Sequence, residues 1–356
     1  MKCTLDVYTS CHIDENQCDN STFSSIKVCY TKKLVKMKGY HIVYGKKLQN
    51  PGVVFALALL CCALWGSAFP CVKIGYEWLA IEGAGSQILF AGYRFFLAGI
   101  FTFLIGSFLE KRWLMIRRSS VLPVFGQGML QTFIQYICFY IGLAHTTGAK
   151  GSVINASNAF FALIFAHFMI KSEKMTWKKS IGCLIGFAGV IVINLTPGGM
   201  AGGFQWMGEG LILVCSMAYG ASSVTLKLLS GKETPTAITA FQLLFGGGML
   251  ILAGVLLGGH VRGFTMRSVL LLLYMALLST AAFSIWALLL KYNPVGKVAV
   301  FGFTIPVFGV ALSAVFLGED IWKIQNLAAL ILVSAGIIFV NREKESKNDT
   351  DQRADL

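Results

Sequence analysis

Ten runs of apolar residues, each close to the length that crosses a lipid bilayer, constrain this 356-residue chain more than anything else in it. They fall at about 53–75, 88–109, 121–143, 150–170, 178–195, 207–229, 236–257, 268–290, 297–317 and 324–341. A helix rises about 1.5 Å per residue and the hydrocarbon core is about 30 Å thick, so about 20 apolar residues make one crossing. The fifth and tenth runs are at the short limit. Only 13% of the residues are charged, against roughly a quarter in a soluble domain. Such a chain has too little polar surface to face water, and the sequence predicts an all-α polytopic membrane protein whose main solvent is the lipid bilayer.

The formal net charge of +13 would suggest nucleic acid in a soluble protein. Here the basic residues sit in short runs between apolar stretches, such as 111-KRWLMIRR-118 and 171-KSEKMTWKK-179. That is the pattern of cytoplasmic loops meeting anionic lipid, and no nucleic-acid partner is expected. With the N-terminus inside, the inner loops hold Lys111, Arg112, Arg117, Arg118, Lys171, Lys174, Lys178, Lys179, Lys232 and Lys291. The outer loops hold none in 76–87 or 196–206, and Arg262, Arg267 and Lys323 later. Both termini are therefore expected in the cytoplasm. Six of the ten cysteines lie inside apolar runs, where cysteine acts as a small hydrophobe. The other four (Cys3, Cys11, Cys18, Cys29) sit beside His12 in a polar segment with no zinc-ligand spacing. That segment reads as a disordered tail, and Met37 opens a second, ordinary start. The first fifty residues do not read as a cleaved signal peptide.

The chain also repeats itself. The stretch 65-WGSAFPCVK-73 parallels 219-YGASSVTLK-227, and 91-AGYRFFLAG-99 parallels 239-TAFQLLFGG-247, with Arg94 matched to Gln242. Likewise 148-GAK-150 parallels Gly296-Lys297, and 189-GVIVIN-194 parallels 336-GIIFVN-341. Each half holds five crossings, an odd number, so the second copy enters the membrane upside down. Inverted-topology repeats of this kind are a plan associated with secondary transporters. The expected layout is a polar tail over 1–51, five-helix repeats over 52–195 and 206–341, and a charged tail over 342–356.

These residues resemble the EamA-type drug/metabolite transporters. The marks are Trp65-Gly66-Ser67 with Lys73 in the first run, Arg94-Phe95 in the second, and Pro306 with Leu317-Gly318-Glu319 in the ninth. The likeness covers about 52–341. It implies export of small organic metabolites or amino acids across the inner membrane by alternating access, with no cofactor and no enzymatic step. The first half departs from the pattern: it has no proline matching Pro306, and it ends in Lys171-Ser172-Glu173 where Leu-Gly-Glu is common.

Polar residues inside apolar runs mark candidate sites. Arg94 either lines the pathway or holds a substrate carboxylate, or else it snorkels to the outer interface or ties two helices together. Gln127, Gln131 and Gln135 recur every four residues and share one helical face, with Tyr136 adjacent and Asn155 and Asn158 in the next run. They line a central polar cavity or glue helices, and Trp65, Tyr219, Trp286 and Gln242 complete the cavity set. Pro70, Pro306, Lys73 and Lys227 are the gating candidates. Pro306 falls near mid-bilayer, where a missing N–H bends a helix, while Glu319 and Asp320 read as a stop at the water boundary. On that reading Pro306→Ala slows transport more than Glu319→Gln. No run carries a carboxylate at its centre, which argues against carboxylate-driven proton coupling. His167 is either a titrating or a structural group. Two other functions stay open: an exchanger of phosphate esters or nucleotide sugars, which needs paired cations such as Lys73, Lys227 and Arg94 in the cavity, and a non-transporting scaffold or sensor. Substrate, coupling ion and oligomeric state are not written in the sequence. Walker A, HExxH and GxSxG motifs are missing.

Overall fold

The computed structural model describes residues 48–170, 174–192, 204–293, 298, 300–319, 324, 327–336 and 338–339. The chain divides into a leading unit, Met1–Leu48, and a second unit, Gln49–Leu356. Only Leu48 of the first is described. The expectations for the two tails, the four N-terminal cysteines, Lys171–Glu173 and Gly296-Lys297 therefore lie outside the described residues.

Every described regular element is helical. In chain order they are α1 (Pro51–Trp78), α2 (Gly83–Glu110), α3 (Val121–Gly128), α4 (Gln135–Ala144), α5 (Gly148–Asn155), α6 (Asn158–Met169), α7 (Trp177–Val192), α8 (Leu211–Leu229), α9 (Pro235–Leu256), α10 (Met266–Tyr292), α11 (Thr304–Leu317) and α12 (Leu327–Gly336). Six stretches are long and apolar enough to cross a membrane: α1, α2, Gly148–Met169, Trp206–Leu229, α9 and α10. Two shorter apolar helices, α11 and α12, follow. Val121–Ala144 is helical throughout, but its three glutamines dilute its hydropathy, and α7 has 16 residues. The protein is a multi-pass, all-helical membrane protein.

Local chemistry sets the starts. Asn50 accepts N–H donors from Gly52 and Val53 with Pro51 at the first helical position, Thr234 caps α9 in the same way, and Thr265 and Ser268 form a reciprocal capping box on α10.

The α2–α9 pair is the most extensive helix contact. Gly92 meets Ile251 and Gly99 meets Leu244, while Gly247 meets Phe96 and Gly254 meets Leu89. Each step along α2 goes with a step back along α9, so the helices run antiparallel. A Cβ on Gly99 would lie 2.7 Å from the Leu244 backbone nitrogen; glycine is what lets these backbones touch. The stripe Gly92, Gly99 and Gly106 thus does what close-packing residues in lipid do. Around this spine α1 packs on α10 and α11, and α6 on α8.

Four stretches depart from a regular α-helix. Met129–Ile134, between α3 and α4, is π-helical, as is Trp206–Gly210 before α8. The fourth run breaks at Ala156-Ser157, between α5 and α6, with Asn155 and Asn158 on either side. In the second half, Val300–Phe303 is a 3-10 turn leading into α11, 147 residues beyond that break by the same offset as the sequence repeat. Pro306 is the third residue of α11, close behind that 3-10 turn. Pro70, by contrast, is inside α1.

Candidate functional site

Where α1, α2, α4, α5, α6, α8 and α11 converge there is a small cavity of about 40 Å³, lined by Trp65, Ala68, Phe69, Arg94, Gln135, Tyr136, Phe139, Asn155, Asn158, Tyr219 and Ile305. A neighbouring space of about 20 Å³ shares Asn158, Tyr219 and Ile305 and adds Trp286. The larger has room for a water molecule or two.

Arg94 is the charged wall. It is 1% exposed, so it does not reach the interface. Nε donates to Ser279 Oγ at 3.0 Å and Nη1 to Tyr140 Oη at 3.2 Å, and the guanidinium carbon lies 4.8 Å from the Phe95 ring centre. The ion pairs among the described residues are Arg112–Glu110, Arg117–Glu233 and Lys150–Glu209. None of them serves Arg94. A guanidinium has five donors, and here the two named hydroxyls take one each.

The glutamine stripe divides. Gln127 Nε2 donates to Gln131 Oε1 at 2.7 Å and to the Ser222 carbonyl at 3.1 Å, and Thr225 donates its hydroxyl to Gln127 Oε1. These two glutamines are bound up with each other and with α8, and they do not line the cavity. Gln135, at the other end of the stripe, does; its Oε1 is buried with no hydrogen-bond partner among the described residues. A shared face was legible from the spacing of four, but which end of it met the cavity was not.

Trp65, Tyr136, Asn155, Asn158 and Tyr219 line the cavity, and Trp286 its extension. Trp65 is edge-on to Tyr219, Phe283 and Trp286, with ring centres 6.2, 5.6 and 5.0 Å away. Gln242, matched to Arg94 in the repeat, is fully buried but elsewhere. Lys73 and Lys227 are not among the residues lining either space. His167 accepts the Met175 N–H on Nδ1 at 3.0 Å, a loop-holding contact away from the cavity.

Several residues escaped the sequence reading. Phe69 and Phe139 are walls; as aromatic residues in apolar runs they carry no distinguishing signal. Tyr140 had one, lying four residues after Tyr136 and so on the same helical face. Ser279 had none. Glu319 was read as a stop, yet its carboxylate accepts the N–H groups of Gly148 at 2.7 Å and Ala149 at 2.8 Å. Those are the first two residues of α5, a helix of the other half.

A model of the EamA-like transporter family matches residues 52–195 and again 206–342. A probable amino-acid metabolite efflux pump of Salmonella typhimurium is 26% identical over 293 residues, covering 79% of this chain and 92% of that protein. The probable amino-acid metabolite efflux pump of Escherichia coli is 24% identical, covering 80% and 93%. The uncharacterized transporter YvbV of Bacillus subtilis is also 24% identical, covering 85% and 95%. A solved crystal structure superposes with a TM-score of 0.61 over 81% of this chain and 96% of that one, at 17% identity, a likeness of fold alone. With both halves matched, the chain belongs to the EamA-like transporter family.

Proposed function

We propose that this carrier exports small organic solutes bearing a carboxylate, amino acids among them, across the inner membrane by alternating access. The protein has ten crossings in two inverted five-helix halves, 52–195 and 206–341, with both termini in the cytoplasm. The antiparallel α2–α9 spine and the paired irregularities at Ala156-Ser157 and Phe303-Thr304 support that layout, since discontinuous helices at a repeat interface form substrate sites in secondary transporters.

One observation carries the substrate class: Arg94 is a buried guanidinium at the cavity wall with no carboxylate paired to it among the described residues. An uncompensated charge at such depth is costly, and a substrate carboxylate supplies what is missing, bidentately. Gln135 Oε1 offers an acceptor for an ammonium group, and the aromatic walls fit an apolar side chain. A phosphate dianion calls for a second cation at the cavity, and Lys73 and Lys227 are not there. Pro70, Pro306, Lys73 and Lys227 remain the gating residues of this reading, with Pro70, in the interior of α1, the stronger hinge.

The test is exchange in liposomes with a panel of labelled amino acids and their methyl esters, with and without a proton gradient. Free acids are exchanged and esters are not. Equal exchange of an acid and its ester would refute the role of Arg94.

A further inference from the structure

Charged polar contacts between the two halves gather on one elbow, Thr146–Lys150, between α4 and α5. Glu319, just past α11, accepts the backbone N–H groups of Gly148 and Ala149, one on each carboxylate oxygen. Glu209, in the π-helical turn before α8, accepts Thr146 Oγ1 at 2.8 Å and pairs with Lys150 Nζ at 2.9 Å through Oε1, and accepts the Gln205 N–H at 2.7 Å through Oε2. Its side chain is 4% exposed. All these bonds involve an ionised acceptor, the strong class of hydrogen bond, and those of Glu319 also complement the positive end of α5.

The backbones close in as well. A Cβ on Gly148 would lie 2.5 Å from Ser313 Oγ, and one on Gly208 would lie 2.9 Å from the His145 carbonyl oxygen. The elbow is thus gripped from both sides by elements of the second half. Its lever is α5, a short helix with its first residues in the grip and its last, Asn155, at the cavity wall. Beyond Asn155 the two-residue turn Ala156-Ser157 interrupts the α-helix, with bonds from the Ala156 N–H to Ser152 and from the Ser157 N–H to Ile154 still in place.

We infer that Glu319 and Glu209 are the latch of the gate on the face where α4 and α5 meet, the outer face in the proposed orientation. Both carboxylates must let go of Thr146–Lys150 before α5 moves and the cavity opens to that side. The two residues act on the substrate through α5 and are positioning residues, not binding ones. This inference rests on the alternating-access reading, but it does not depend on which solute is carried.

The experiment reads the gate without a substrate. Ser152→Cys places a thiol on α5, one turn inside the latch, at a site that is fully buried and packed on Gly309. Sealed vesicles of the full chain in either orientation are treated with a charged, membrane-impermeant thiol reagent, and labelling at residue 152 is followed by mass spectrometry. Glu319→Gln and Glu209→Gln should each raise the labelling rate from the outer side at least tenfold and leave the inner side unchanged. Glu110→Gln, a change at the opposite end of α2, should leave both sides unchanged. In a second arm, Gly148→Cys with Ser313→Cys places two Cβ atoms about 3.3 Å apart, near the separation a disulfide adopts. Oxidation should abolish the raised labelling in Glu319→Gln, and reduction should restore it. An unchanged rate in both glutamine variants overturns the latch, and so does a rise that is equal from both sides or confined to the inner one. Failure of carboxylate exchange with these outcomes intact would remove the substrate assignment alone.

Discussion

Two adjacent glycines on α9 should respond to alanine with opposite signs. Gly247 faces α2, where an added Cβ would lie 2.5 Å from the Phe96 backbone nitrogen and 2.9 Å from its Cα. Neither atom can rotate away, so relief requires the helices to part by about 1 Å along their longest contact, an overpacking that costs about 1–3 kcal/mol. Alanine returns about 0.5–1 kcal/mol by restricting the unfolded backbone. The balance for Gly247→Ala is a loss of up to about 2.5 kcal/mol. Gly248 is next in sequence but turned aside, and its Cβ would meet only the Phe96 ring at 3.9 Å, an ordinary contact. There the backbone term stands alone, and Gly248→Ala should gain about 0.5–1 kcal/mol. At about 2 °C per kcal/mol for a chain of this size, Gly247→Ala melts up to about 5 °C lower and Gly248→Ala about 1–2 °C higher. The assay is tryptophan fluorescence of purified protein in one detergent at one scan rate, since apparent melting of such proteins is rate-dependent. Shifts of the same sign, or a larger loss at Gly248, would show that α2 and α9 do not meet along this glycine line.

The glutamine stripe and the cavity cation give two further tests. Gln127→Leu breaks the bonds to Gln131 and Ser222 and should lower the melting temperature while leaving substrate affinity within twofold, whereas Gln135→Leu should do the reverse; thermal melts and exchange kinetics separate the two. Arg94→Gln should weaken binding of a carboxylate solute at least tenfold, with Arg94→Lys intermediate because a point charge replaces a two-pronged donor, measured as the half-saturating concentration in liposome exchange.

Fold class, repeat and the outline of the cavity were legible because each is written as a pattern along the chain. Apolar runs of fixed length, matched islands such as 91-AGYRFFLAG-99 and 239-TAFQLLFGG-247, and polar residues in greasy surroundings need no knowledge of partners. What stayed hidden depends on partners. The sequence shows three glutamines at spacing four but not that Gln127 spends its amide on the Ser222 carbonyl. It shows Arg94 but not whether the side chain reaches water, because snorkelling and burial look alike until the neighbouring helices are known. The carboxylate of Glu319 is the plainest case. Its partners are the backbone N–H groups of Gly148 and Ala149, which every residue but proline possesses, so no residue type announces them.

That last point reverses an expectation about the ninth run. Read along the chain, Pro306 looks like the moving part and Glu319 like a marker of the water boundary. In the structure Pro306 is the third residue of α11, close behind a 3-10 turn. Proline is tolerated better in the first turn of a helix than in its interior, so alanine there should disturb α11 less than it would disturb a helix middle. Glu319→Gln removes the charge and one of the two oxygens that hold α5, each such bond being worth about 1.5–3 kcal/mol. A carrier cycles between two closed faces, and loosening one face by that amount shifts the population of states by tenfold or more, at about 1.4 kcal/mol per factor of ten. Initial rates of exchange in liposomes at matched protein content should therefore change more for Glu319→Gln than for Pro306→Ala. A tenfold loss in Pro306→Ala beside a near-normal Glu319→Gln would return the hinge to the proline and leave the grip on α5 a static cap.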